Sequence, residues 1–222
     1  KRKYAAIKKV WGDTIPASDS CAAPLWRYLE NRGIDTNLIS LSDSIRFMPN
    51  LQYYCDAGCS THPGIVAQIL DSEGKQVTLH RTFIDYDGNK APVDSPKKLM
   101  SVPGDRELNG SAVKVGGTGP TLHIAEGIET AIAVMQLTGN TGTYVATTTA
   151  NLMRTLRLPG KHRNVVVWGD LDRSEEGQKA AQTLAKRLKE NGYDATVMIP
   201  DTKPLADGQK SRDWLDALAN WD

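Results

Sequence analysis

Asn164-Val165-Val166-Val167-Trp168-Gly169-Asp170-Leu171-Asp172 is the stretch on which the reading of this chain turns. The β-branched run from Asn164 to Trp168 has the character of a central strand buried on both faces. On its N-terminal side, Leu122 to Ala125 reads as a strand, Ile128 to Leu137 as a helix ended near Gly139, Thr143 to Ala146 as a strand and Ala150 to Leu156 as a short helix. On its C-terminal side a helix is expected from Glu175 to about Asn191, with Ala180, Ala181, Leu184, Ala185 and Leu188 on one stripe and Gly192 as its stop. Ala195 to Ile199 supplies a fourth strand and Trp214 to Ala219 a last helix. Strand and helix alternate four times, which predicts an α/β fold: a parallel four-stranded, Rossmann-like sheet with helices on both faces.

Ahead of this half, Gly116-Gly117-Thr118-Gly119-Pro120 is a strong break signal and is read as a linker, giving residues 1–118 as a smaller mixed α+β subdomain and 119–222 as the α/β subdomain. Within the first, Ile65 to Leu70 and Gln76 to Ile84 are strands flanked by the turns Ser72-Glu73-Gly74-Lys75 and Tyr86-Asp87-Gly88-Asn89. Ala22 to Arg32 is a helix stopped by Gly33, with Leu25, Tyr28 and Leu29 on one face.

The 222 residues, 40% hydrophobic and 24% charged, suffice for a sizeable core. No apolar run approaches the roughly 18 residues needed to cross a bilayer. Lys1-Arg2-Lys3-Tyr4 lacks the apolar stretch of a signal peptide, and the missing initiator Met is expected of a piece cut from a longer chain. The three cysteines, Cys21, Cys55 and Cys59, are too few for a disulfide scaffold and fit a reducing, cytoplasmic setting. Lys plus Arg number 27 against 26 acids, evenly spread between the halves, so a polyanion would need a local patch or metal ions.

Ligands of such sheets gather at the carboxyl ends of the strands, and here those ends are acidic. The first strand runs into Glu126-Gly127-Ile128-Glu129-Thr130, and the valine strand into Gly169-Asp170-Leu171-Asp172, followed by Gly177. The alternation in Asp170-Leu171-Asp172 lets both carboxylates face one crevice. Crowded like charges call for a cation, and two or three carboxylates around an open site suit Mg²⁺ (or Mn²⁺). Taken singly, Asp172 and Ser174 also read as caps of the following helix, and Glu126 as a helix-start acid; taken together, the acids favour a metal site.

These two segments, Ile124-Ala125-Glu126-Gly127-Ile128-Glu129-Thr130-Ala131 and Val166-Val167-Trp168-Gly169-Asp170-Leu171-Asp172 with Gly177, resemble the Toprim domain of bacterial-type primases, topoisomerases and some nucleases. Ser211-Arg212-Asp213-Trp214-Leu215-Asp216 is similar to the further acidic segment of that family, while Thr130 stands where its motif often carries Asp. Upstream, Tyr28-Leu29-Glu30-Asn31-Arg32-Gly33-Ile34, Ile45-Arg46-Phe47, Gly64-Ile65-Val66-Ala67, Leu79-His80-Arg81-Thr82 and Ser95-Pro96-Lys97-Lys98-Leu99-Met100 resemble, in order, the segment preceding Toprim in plasmid and phage primases.

The resemblance implies metal-dependent, template-directed synthesis of short RNA primers on single-stranded DNA from ribonucleoside triphosphates. It implies Glu126, Asp170 and Asp172 as catalytic residues, with Glu126 as general acid/base or metal ligand, and Asp170, Asp172 and Asp213 as metal ligands; Glu129 and Asp216 rank second. It also implies Arg81, Lys97 and Lys98 as nucleotide- or nucleic-acid-binding residues, ahead of Arg46, Lys90 and Arg173. Bacterial-type primases usually carry a zinc-binding domain ahead of this region, so such a domain, or a replicative helicase, is an expected partner. Rival readings are a Toprim nuclease using the same acids and a non-catalytic nucleic-acid-binding module.

Other features read as structural. Cys55, Cys59, His62 and His80 lack zinc-ribbon spacing and are expected to be ordinary loop residues. Thr147-Thr148-Thr149 opens a helix and is expected to cap it, with contact to a base or a phosphate as the alternative, since it sits at a strand end of the same crevice. Of Trp11, Trp26, Trp168, Trp214 and Trp221, most are expected in the core.

Overall fold

The structure, a computed structural model, describes residues 1–56, 58–158, 162–200 and 205–219; Trp221 and the chain end at Asp222 lie outside these. The chain opens with helix α1 (Arg2–Gly12), strand β1 (Ile15–Pro16) and helix α2 (Ala23–Glu30). It then lays down β2 (Ile45–Cys55), β3 (Gly58–Leu70), β4 (Gln76–Phe83), β5 (Lys97–Leu99) and β6 (Ala112–Gly117). The alternating half follows as β7 (Leu122–Ala125), α3 (Ile128–Leu137), β8 (Thr143–Ala146), α4 (Ala150–Thr155), β9 (Asn164–Trp168), β10 (Leu171–Asp172), α5 (Glu176–Glu190), β11 (Asp194–Met198), β12 (Ser211–Arg212) and α6 (Trp214–Leu218). No helix among the described residues is long and apolar enough to cross a membrane.

The four strands expected to be parallel are parallel, in the order β8-β7-β9-β11, with Ile124 opposite both Val145 and Val167, and Val167 opposite Val197. The valine strand β9 therefore has a neighbour on each side, and Val165 and Val167 are fully buried. One face of this sheet carries α4 and α5, whose Met153, Ala180, Ala181, Leu184 and Leu188 pack with Ile124, Val165 and Val167. The other face carries α3. This helix is buried almost all round, from Ile128 to Met135, because it lies between the sheet and the Leu25, Tyr28 and Leu29 face of α2.

The first subdomain is an antiparallel sheet, β1-β2-β3-β4-β5. It does not end at a flexible joint. Strand β6 pairs antiparallel with β3 through Ile69 and Val113, and with β8 through Val113 and Ala146, so the two sheets fuse into one of ten strands. This corrects the linker reading of the glycine cluster: Gly116 and Gly117 are strand residues opposite Tyr144 and Thr143. The glycines are there because backbones meet. A Cβ on Gly117, whose φ is +69°, would stand 2.1 Å from the Gly142 carbonyl oxygen, and one on Gly119 1.8 Å from that of Thr141. Gly117→Ala is expected to lower stability by more than about 2 kcal/mol in urea unfolding, since it combines a left-handed backbone with a backbone clash; an unchanged midpoint would refute this.

Candidate active site

Strand β9 delivers its acids through a tight passage. A Cβ on Gly169 would meet Ile199 Cδ1 at 2.8 Å and Ala181 Cβ at 2.9 Å, so only glycine lets the chain turn from the buried Trp168 to Asp170. Glu126 leaves the carboxyl end of the adjacent strand β7. Antiparallel pairing of β10 with β12 sets Asp172 opposite Ser211 and carries the chain on to Asp213. Trp214 fixes this return: its indole N–H donates to the Gly169 carbonyl at 3.1 Å, and its ring meets Trp168 edge-on at 4.6 Å. Trp168 is held in turn by a 3.0 Å hydrogen bond to His123 Nδ1. Asp213 is thus brought to Asp170.

The charges register that convergence. Burial, then the carboxylates of Asp213, Glu126, Asp172 and Asp216, push Asp170 up to about 8. Its Oδ1 is buried and has no hydrogen-bond partner among the described residues. Burial, Glu176 and Asp172 raise Glu126 as well, opposed by the Ala150 N–H and by Arg154. Asp172 behaves differently: burial works to raise it, but the Ser174 hydroxyl and the N–H groups of Gly177 (2.9 Å) and Glu176 (3.1 Å) prevail and hold it low. Asp172 is therefore the cap of α5 as well as a member of the acidic cluster. Gly177 permits this, since a Cβ there would stand 3.0 Å from Asp172 Oδ2. Asp213 likewise caps α6, accepting from Leu215 and Asp216 N–H at 2.9 and 3.0 Å, with Asp216 bonding back to the Asp213 N–H. Capping and clustering are thus compatible uses of the same carboxylates.

An open crevice of about 400 Å³ is lined by Glu126, Ala150, Asp172, Glu176, Lys210 and Ser211, among others. Sequence reasoning missed three residues here: Glu176, Lys210, and Arg154, which pairs with Glu176 at 3.5 Å. They lie beyond the strand ends on which that reasoning concentrated, and only the return of α4 and β12 to the crevice reveals them. Among the described residues no three His, Cys, Asp or Glu side chains converge closely enough to hold an ion by themselves. The donors nevertheless fit a hard divalent cation. Asp170 presents a buried, unpartnered carboxylate oxygen amid excess negative charge, and Mg²⁺ is commonly held through one or two carboxylates, with water and phosphate completing its shell.

The three cations singled out from the sequence do not share one face. Thr82 pairs with Lys97 and Arg81 with Lys98, so strand alternation sends Lys97 one way and the other two the opposite way. Lys97 reaches the buried Glu129, its Nζ lying 2.7 and 2.8 Å from the two carboxylate oxygens, while the Tyr28 hydroxyl donates to Glu129 at 2.7 Å. Burial pushes Glu129 up, yet Lys97 and Tyr28 outweigh it and hold the carboxylate low. Glu129 is thus committed to an ion pair on the α2 side. Lys98 donates to the Tyr54 carbonyl at 2.8 Å and lies over the Tyr53 ring, while Arg81 lies over Phe83 with Nε buried and unpartnered. Of the lower-ranked cations, Lys90 is lowered by loss of hydration and by Lys97 and Arg32, and senses Asp213. Arg46 bonds the Thr14 carbonyl, a structural use, while Arg173 bonds those of Gln209 and Ala206 and also lines the crevice beside Asp172.

The remaining expectations resolve simply. Cys55, Cys59, His62 and His80 are strand residues of β2, β3 and β4 rather than the loop residues expected; Cys55 opposes Gly58 and Cys59 opposes Tyr54, so the two cysteines project to opposite faces and cannot share a zinc ion. Thr149 caps α4, accepting from Leu152 N–H at 3.2 Å. Trp168 and Trp214 are buried, and Trp11 and Trp26 are half-buried.

Comparison with known proteins agrees with this architecture. Residues 121–220 match the Toprim domain family, and residues 1–110 match a domain family of unknown function, DUF7146. No curated protein sequence matches the chain. Among solved structures, a DnaG primase catalytic domain bound to single-stranded DNA is similar, at 18% identity and TM-score 0.58 over 98% of this chain and 76% of that one. The Escherichia coli primase catalytic core is 16% identical with TM-score 0.56, over 98% of this chain and 75% of that one. The Aquifex aeolicus primase, comprising zinc-binding and RNA polymerase domains, is 15% identical with TM-score 0.59, over 99% of this chain and 58% of that one. With the acids of β7 and β9 at one end of its parallel sheet, the segment 121–220 is a Toprim domain, and the chain as a whole has the fold of the DnaG-type primase catalytic core.

Proposed function

We propose that this chain is the catalytic core of a DNA primase, in two subdomains of residues 1–118 and 119–222, making short RNA primers on single-stranded DNA for a plasmid, phage or other mobile element. The observation that carries the reading is the unpartnered carboxylate of Asp170, buried beside Glu126, Asp172 and Asp213 on a primase-type fold. Asp170 and Asp213 would hold Mg²⁺ or Mn²⁺, with water and phosphate completing the shell, while Asp172 at the end of β10, engaged with the first N–H groups of α5, adds its negative charge from nearby. Such an ion, when bound, supplies positive charge to the triphosphate and to the 3′ hydroxyl oxygen. Glu126, at the end of β7 and made more basic by burial and by its acidic neighbours, would take the proton of that hydroxyl as its oxygen attacks the α-phosphorus and pyrophosphate leaves. Lys210 and Arg154 offset the acids that would otherwise repel a phosphate. A zinc-binding domain or a helicase as partner, and a cytoplasmic setting, belong to the same proposal.

The test is primer synthesis on mixed-sequence single-stranded DNA with labelled ribonucleotides and Mg²⁺ or Mn²⁺. Short template-dependent products are expected from the wild type, falling at least about 100-fold in Asp170→Asn and Glu126→Gln. Degradation of the template in an Asp170-dependent manner would make the chain a nuclease instead. Absence of both reactions from a folded, metal-supplied protein would leave a binding module.

A further inference from the structure

Thr148 carries two unfavourable features at once. Its φ is +69°, in the left-handed region that a β-branched side chain resists most strongly. Its hydroxyl oxygen is buried and has no hydrogen-bond partner among the described residues. The adjacent threonines do not share this: the Thr147 hydroxyl lies 3.4 Å from the Ala125 carbonyl, and that of Thr149 caps α4. Glycine at position 148 would adopt the same backbone without strain, and alanine would leave no orphaned hydroxyl. Nothing among the described residues therefore accounts for threonine at this position.

The position of the residue supplies an account. Thr148 follows strand β8 at the carboxyl end of the sheet, and its N–H donates to the Glu126 carbonyl at 2.7 Å. Two residues further on, Ala150 lines the crevice beside Glu126. Strain and unsatisfied polar groups persist where a ligand relieves them, because the relief appears as binding free energy. We propose that Thr148 is a substrate-contacting residue: when a nucleoside triphosphate enters the crevice, the 147–149 turn relaxes from its left-handed conformation and the Thr148 hydroxyl donates to a phosphate oxygen of the nucleotide. The assignment of a triphosphate as ligand rests on the primase reading above.

The experiment compares wild type, Thr148→Gly and Thr148→Ser by thermal unfolding without ligand and by anisotropy of a fluorescent ribonucleoside triphosphate with Mn²⁺. Thr148→Gly is expected to melt about 2–4 °C higher, as the strain and the orphaned hydroxyl disappear, yet to bind about 10-fold more weakly. Thr148→Ser, which keeps the hydroxyl, should bind within about twofold of wild type. If Thr148→Gly binds as tightly as wild type, or Thr148→Ser as weakly as Thr148→Gly, the hydroxyl is not the contact and the proposal fails while the primase reading stands. If the wild type binds no triphosphate, the primase reading falls and takes this proposal with it.

Discussion

Metal-free protein carrying Asp170→Asn is expected to be about 1–3 kcal/mol more stable than wild type at pH 9, and to gain nothing from Mg²⁺ or Mn²⁺. Asp170 titrates at about 8 in the fold and near 4 when the chain is unfolded. Between those values the folded protein holds a proton that the unfolded chain has released, so stability is present in full below pH 4 and is lost as the pH rises through 8. Asparagine has no such proton to lose, and the two proteins should diverge across this window. Urea unfolding at pH 5 and pH 9, with chelator, measures the divergence; parallel curves would show that Asp170 is not the strained group. A divalent ion should restore the wild type at pH 9 and displace about one proton at pH 7. Calorimetry in two buffers of different ionisation enthalpy reads that proton directly.

Lys97→Met should cost about 3 kcal/mol, the lower end of the range for breaking a buried ion pair, because Lys97 itself is partly exposed. The loss comes from Glu129, which is left buried with the Tyr28 hydroxyl and its own backbone N–H but no opposite charge from Lys97. Glu129 is depressed in the wild type, so its contribution is present above the ordinary carboxylate range and fades as the pH falls. Without Lys97 burial dominates, the carboxyl is raised, and the variant should instead be most stable in acid. Adding Glu129→Gln to Lys97→Met should recover most of the lost stability, since no charge is then stranded. The double variant also separates two roles for the lysine. If it folds well and still binds triphosphate, Lys97 is a structural ion-pair partner; if it folds well and does not, the ammonium serves the nucleotide too.

The alternating half of the fold was legible because its elements are local and strongly patterned: the valine run, the Ala/Leu stripe of α5 and the glycine stops give strand, helix and end within a few residues of each other. The antiparallel half was only partly legible. Strand β2 carries a Pro49-Asn50 irregularity between Met48 and Leu51 that blurs its period, and α1 buries only Ile7 fully, so neither announces itself. The glycine cluster misled because close packing of backbones and loop flexibility call for the same residue. At the site, the spacing of acids on two strands led to Glu126, Asp170 and Asp172. It could not reveal that Lys97 turns toward Glu129 while Lys98 and Arg81 turn away, because that depends on the β4–β5 register, set by a chain return from Ile84 to Pro96. Nor could it reveal the left-handed backbone of Thr148, for which no residue type is diagnostic when it is not glycine.

The union of β3, β6 and β8 in a single sheet has a mechanical consequence. Hydrogen-bonded strands transmit rotation, so the halves of this molecule lack the pivot about which a two-lobed enzyme clamps onto its substrate. The cations of the first half and the acids of the second therefore keep a set separation whatever is bound between them. Accommodation of any ligand falls to side chains and short turns, with the sheet acting as a gauge that fixes how far apart the two sets of charges must lie.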